Sequence, residues 1–174
     1  MFAATPPLEA VRLLLSDVAT TRDVSGDRVI MTNDVARAFF EAPMKRLVCV
    51  ELPPEAQVAG SDDVGLLQKS LYGTRDAAAN FQAEVRSFML GLGFIQSPYS
   101  PSVFWHKQRD LKTLVHGDDF MTSGVRADAR WFRESLQARF EIKTVVVGDG
   151  GDEVPEGRIL GRIIRVTPGG WEYE

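Results

Sequence analysis

A chain of 174 residues with 44% hydrophobic and 25% charged side chains has an ordinary globular composition and enough length for one real core. No stretch approaches the roughly 18 apolar residues of a membrane span, and the start, MFAATPPLEA, lacks the basic and apolar regions of a secretory signal. Cys49 is the only cysteine and His106 and His116 are the only histidines, which excludes an internal disulfide and leaves too few ligands for a Cys/His zinc site.

The lone cysteine fits a reducing compartment, so an intracellular place in cytosol or nucleus is expected, with no membrane partner. The net charge of −4 runs against the basic footprint usual in nucleic-acid binding. A centre that binds metal cations is an exception, because it is itself acidic.

In chain order, Pro6-Pro7 opens a helical pattern in which Leu8, Val11, Leu15 and Val18 share one face. Thr20 to Asp27, with Gly26, reads as a loop. Val29-Ile30-Met31 reads as a buried strand that delivers Asp34 at its C-terminal end. Leu47 to Leu52 is a second strand, stopped by Pro53-Pro54. After the polar loop Ala56 to Gly65, Leu66-Leu67 begins a short strand. From Arg75 the period is helical: Ala77, Phe81, Val85, Phe88 and Leu92 share a face, and Gly91 and Gly93 end it. Val103 to His106 is a short strand. Leu111 to Val115, His116-Gly117-Asp118-Asp119 and Phe120-Met121-Thr122 read as strand, tight turn and strand. Val125, Ala129, Phe132, Leu136 and Phe140 line another helix, with Arg126, Arg130, Arg133 and Arg139 as its solvent face. Ile142 to Val147 and Arg158 to Val166 are strands, and Thr167 to Gly170 is a turn. The order implies one α+β domain over residues 1–174, with a mainly antiparallel sheet backed by helices on one face.

Two Asp-Asp pairs differ in context. Asp62-Asp63 sits in the polar loop AGSDDVG, where solvated charge is its natural state. Asp118-Asp119 sits between two apolar runs, and Gly117 permits a tight turn. Paired carboxylates at the tip of a core hairpin repel one another unless a cation lies beside them. Nucleotidyl transfer needs such a device: carboxylates that hold metal ions, which neutralise charge and align the reacting oxygens. The same Asp pair also suits a plain turn, since Asp caps nearby amides, and Asp34 alone also suits a helix N-cap.

Three segments carry a resemblance. TNDVARAFFEAPMKRLVCVELPPE, LLQKSLYGTRDAAANFQAEVRSFMLGLGFIQSPYSPSVFW and LVHGDDFMTSG, followed by FEIK and GRILGRIIRV, resemble the copia-type reverse transcriptases of LTR retrotransposons over roughly residues 8 to 166. The resemblance implies a polymerase palm-like domain with a partial fingers segment, full fingers, thumb and ribonuclease H regions being absent from 1–174. It implies RNA-directed DNA polymerase activity, a template of RNA or DNA with primer, dNTPs, and two Mg²⁺ or Mn²⁺ ions. Asp34, Asp118 and Asp119 would be catalytic and metal-binding, with Asp34 beside Asp118 and Asp119 looser. Phe39 would lie under the incoming sugar, Tyr72 and Gly73 would line the nucleotide and template site, Arg75 would meet phosphate, and Lys143 would serve the leaving pyrophosphate. Phe39 also fits a core aromatic, Gly73 a helix-start turn, and Arg75 and Lys143 a solvated surface. His116-Gly117 departs from the family's Tyr-Val, and Ala77 to Phe81 from a Pro-Arg-Ala-Trp-like run. An inactive retroelement remnant and a non-enzymatic α+β interaction module are the competing readings.

Overall fold

The computed structural model describes residues 6–25 and 27–174, leaving aside the side chains of 21–25. Among the described residues it forms two compact units, one being Arg37–Arg86 and the other the remainder.

In chain order the elements are α1 (Leu8–Ser25), β1 (Arg28–Val35), β2 (Cys49–Glu51), β3 (Val64–Leu66), α2 (Ala77–Gly91), β4 (Ile95–Gln96), β5 (Val103–His106) and β6 (Leu111–His116). They continue with β7 (Asp119–Val125), α3 (Arg126–Gln137), β8 (Ile142–Val147), β9 (Glu156–Ile159), β10 (Arg162–Thr167) and β11 (Gly170–Tyr173). In the larger unit a six-stranded antiparallel sheet runs in the order β4-β5-β6-β7-β1-β8, and a three-stranded sheet in the order β11-β10-β9.

The expected α+β fold with an antiparallel palm-like sheet is what forms; the distribution of helices differs. Val29, Ile30 and Met31 are all fully buried. Successive strand residues face opposite ways, so β1 must be covered on both sides. On one face Ile30, Leu114 and Met121 pack with Ala10, Val11, Leu14, Leu15 and Val18 of α1, joined by Ile159 and Ile164 from the small sheet. On the other face Val29 and Met31 share a cavity lining with Ala129 of α3, and Phe132 and Leu136 of α3 are fully buried. The helices therefore lie on two faces, not one. Each fully buried Leu or Phe contributes about 1.5–3 kcal/mol through removal of apolar surface from water.

Two elements depart locally from expectation. Helix α1 continues through the polar stretch expected as a loop, as far as Ser25; Gly26 lies outside the described residues. The expected single strand Arg158 to Val166 is a hairpin, β9–β10, turned at Leu160 and Gly161 with φ of +47° and +80°. Positive φ at both central residues is the I′ pattern whose twist suits a two-residue hairpin.

In the smaller unit β2 and β3 pair antiparallel. The Ser70 N–H donates to the Ala42 carbonyl at 2.8 Å, and Asn80 Nδ2 donates to Ser70 Oγ at 3.0 Å. These bonds fix the Lys69-Ser70-Leu71-Tyr72 turn against the start of α2.

Candidate active site

The carboxylates meet through strand register. Asp34 on β1 pairs with Asp119 on β7, Asp119 pairs with His116 on β6, and Asp34 pairs on its other side with Lys143 on β8. Directly paired residues share a face with Cα atoms about 4.5–5.5 Å apart. One rung of the sheet, on the face that α1 partly covers, thus reads His116, Asp119, Asp34, Lys143. The expected neighbour of Asp34 was Asp118; the register gives Asp119 instead. Asp118 is the second residue of the two-residue turn, and its carbonyl accepts the Val35 N–H at 3.0 Å. Gly117 carries the turn's positive φ, +62°, at the first central position as a II′ turn requires. That turn geometry sets which Asp faces β1.

All three carboxylates are exposed to solvent. Asp119 is nevertheless held above the ordinary carboxylate range, first by burial and then by the charges of Asp118 and Asp34, with His116 pulling the other way. The charges of Asp118 and Asp34 are therefore close enough to disfavour ionisation of Asp119. A cavity of about 230 Å³ opens here, lined by Asp34, His116, Asp119 and Lys143 and closed on one side by Arg158 and Leu160 of the β9–β10 hairpin.

Among the described residues no three His, Cys, Asp or Glu side chains form a ready-made metal cage. Asp34 and Asp119 supply two outward carboxylates on adjacent strands, with Asp118 at the tip. Mg²⁺ suits this set, since it is usually held by one or two carboxylates and completes its shell with water and substrate phosphates.

The remaining expected site residues lie in the smaller unit as a cluster of their own. Phe39, in a 3₁₀ turn over Ala38–Glu41, packs against Tyr72 with centroids 4.4 Å apart and the rings tilted by 37°, and Phe40 meets the same ring edge-on at 5.5 Å. Tyr72 and Arg75 are exposed, and Gly73 has φ of +90° with open space where a Cβ would stand. Lys143, read from the sequence only by resemblance, falls in the carboxylate rung itself. Arg158 and His116 were not singled out as site residues. His116 carried a signal, its place three residues before Asp119; Arg158 carried none, because its hairpin read as one strand.

A fold of this kind is found in polymerases. The telomerase of Candida albicans, solved in complex with the TWJ fragment of telomeric RNA, superposes with a TM-score of 0.52 over 94% of this chain and 34% of that one, at 11% identity. The structural class is thus an α+β polymerase palm. The model of the family described as Reverse transcriptase (RNA-dependent DNA polymerase) matches residues 1–149, and the chain belongs to that family, in its copia-type branch. A curated relative, the retrovirus-related Pol polyprotein from transposon RE2 of Arabidopsis thaliana, is 27% identical over 135 residues. That match covers 71% of this chain and 9% of the relative's length. Members of the family generally use divalent metal ions. No helix among the described residues is long and apolar enough to cross a membrane.

Proposed function

We propose that this chain is the palm-type domain of a retrotransposon RNA-directed DNA polymerase that adds dNTPs to a primer 3′-hydroxyl on an RNA or DNA template. The observation that carries the reading is the rung in which Asp119, Asp34 and Lys143 stand side by side on three adjacent strands. Asp34, Asp118 and Asp119 hold two Mg²⁺ or Mn²⁺ ions, which when bound lower the pKa of the attacking hydroxyl and neutralise the phosphates. Asp34 and Asp119 orient the reacting centre from the rigid strands, and Asp118 supplies its carboxylate from the turn. Lys143, next to Asp34, offers a cation and a proton to the leaving pyrophosphate. Phe39 and Tyr72 present their rings to the nucleotide, Gly73 lets the backbone approach it closely, and Arg75 offers its guanidinium to phosphate. The lone exposed Cys49 suits the cytosol or nucleus as the place of action.

Primer extension on an RNA template with Mg²⁺ or Mn²⁺ tests the reading, using this chain alone and joined to the regions that flank the matching segment in a longer relative. Extension that disappears in Asp34→Asn and Asp119→Asn supports it; extension that survives either change removes the metal assignment. The net charge of −4 favours one second reading, a folded but inactive retroelement domain. Absence of extension in both forms, with the protein folded, would establish that alternative.

A further inference from the structure

The cavity over the carboxylate rung has walls of opposite charge. Its sheet wall carries Asp34 and Asp119, and its hairpin wall carries Arg158 and Leu160. Both carboxylates, Arg158 and Leu160 are exposed, so a ligand entering the cavity can touch all four.

Arg158 is held in this wall by its neighbours along the chain. Ile159 is 6% exposed and Ile164, on β10, is fully buried; both belong to the core cluster that α1 covers. On the other side of Arg158, Gly157 lets β9 lie close against β8: a Cβ built there would stand 2.6 Å from Val147 Cγ2. Real side chains do not come so near, so the hairpin reaches this position only with glycine. Among the described residues the Arg158 guanidinium has no ion-pair or hydrogen-bond partner. Arg165 of the same small sheet contrasts with it, meeting Glu156 at 2.9 Å, Glu172 at 3.4 Å and Glu174 at 3.6 Å. A solvated arginine is ordinary on a surface. This one is fixed in backbone position and lines the cavity that the catalytic acids line.

The size and charge of the cavity define what meets it. At about 230 Å³ it is smaller than the roughly 300–1,000 Å³ of most small-ligand sites, so it takes one group of a larger ligand. A phosphate suits both walls: the guanidinium fork matches its oxygens, and under the polymerase reading ions held by the acids neutralise it from the other side. We propose that Arg158 is a further substrate-contacting residue, whose guanidinium binds a phosphate in this cavity, either the terminal phosphodiester of the primer or the triphosphate of the incoming nucleotide. The proposal rests on the polymerase reading and adds to it a residue from outside the carboxylate rung.

The test uses the chain in whichever form extends a primer, with Mg²⁺ and a dideoxy-terminated oligo(dT) primer on an RNA template, so that nothing turns over. Primer binding is read by fluorescence anisotropy at several salt concentrations, and dTTP binding to the complex by titration calorimetry. If the phosphate is the primer's, Arg158→Ala should weaken primer binding about tenfold and lower its salt slope by about 0.7–0.9, the share of one phosphate contact. If it is the nucleotide's, the same change should weaken dTTP about tenfold and leave primer binding as it was. In either case Arg158→Lys should recover part of the loss, since lysine keeps the charge without the fork. Arg165→Ala, which removes a paired arginine from the same sheet, should change neither. Circular dichroism checks the fold, with Arg158→Gln as the second variant. Both affinities within twofold of the parent in Arg158→Ala and Arg158→Gln, or equal losses in Arg165→Ala, would overturn this proposal while primer extension by the parent kept the polymerase reading standing. A folded parent that neither binds nor extends a primer in any form would overturn both.

Discussion

The same face of the same sheet ends in two opposite electrostatic solutions. At the end covered by α1, Arg28 pairs with Asp17 at 2.5 Å and with Asp110 at 2.8 Å, Lys112 bonds both acids at 2.8 Å, and Ser123 Oγ donates to Asp17 at 3.0 Å. Two cations meet two anions, and only Arg28 Nε is left buried without a partner among the network's described side-chain atoms. At the other end Asp34 and Asp119 are paired in register with Asp118 beside them, and Lys143 is the rung's one lysine or arginine. Asp110 lies below the ordinary carboxylate range: burial works against ionisation, and the hydrogen bonds from Lys112 and Arg28 outweigh it. Asp119 lies above it. One cluster is balanced by the protein's own cations; under the function proposed above, an exchangeable cation from outside would balance the other.

The largest expected effect breaks the closed end. Arg28→Ala removes one of the two cations, Arg28 and Lys112, that meet Asp17, whose side chain is only 10% exposed. Stability should fall by about 3 kcal/mol, the lower part of the range for stranding a buried ion-pair partner, as read by urea unfolding. If the loss is under about 1 kcal/mol, in the range of an exposed pair, the network does not act as a scaffold. The second effect sharpens the contrast from the open end. Asp34→Asn should abolish primer extension, a loss of about a hundredfold or more, while leaving the unfolding midpoint unchanged or raised, because it removes a repelling charge. The third concerns the turn that aims the acids. Gly117→Ala meets nothing within 4 Å but keeps φ at +62°, so it should cost about 1–2 kcal/mol through backbone strain alone, with extension reduced by loosening of the tip.

Much of this contrast was legible in the sequence, and the failures are instructive. The apolar runs on either side of His116 to Asp119 gave the hairpin, and the run Val29-Ile30-Met31 gave the strand that carries Asp34. That same run held the signal for cover on both faces, since three consecutive buried residues cannot all face one layer. Which Asp faces Asp34 depended on the positive φ at Gly117, a one-residue matter of turn type that alternation does not encode. The β9–β10 hairpin was hidden because Ile159-Leu160-Gly161-Arg162-Ile163 reads as one apolar stretch, and leucine at positive φ is rare. The charge network was invisible for another reason: Asp17 and Arg28 lie far in sequence from Asp110 and Lys112, with Arg28 and Asp110 82 positions apart, and carry no local pattern. The cluster of Phe39 with Tyr72 was suggested only by resemblance, because aromatic residues in a short turn look the same whether they face a ligand or a core.

The smallest effect is the most discriminating, because the two ends should respond to pH in opposite windows. Asp119 has a folded pKa raised above its ordinary value of 3.8, so below that value the acid is protonated in both states and its repulsion is absent. As pH rises from 3.8 through the folded pKa, the unfolded chain releases its proton first, and stability falls. Asp119→Asn should therefore match the parent protein in acid and become the more stable of the two on the way to neutrality. Asp110 has a folded pKa below 3.8, so its stabilisation is fully present above that value and is lost as pH falls through the folded pKa. Asp110→Asn should be less stable at neutral pH and approach the parent protein only below 3.8. Mg²⁺ at neutral pH should raise the parent's melting temperature by binding the native state and narrow its gap to Asp119→Asn, while leaving the Asp110→Asn deficit untouched. If both variants show their gaps in the same pH window, or if Mg²⁺ shifts both alike, the two clusters are not the open and closed ends of one design.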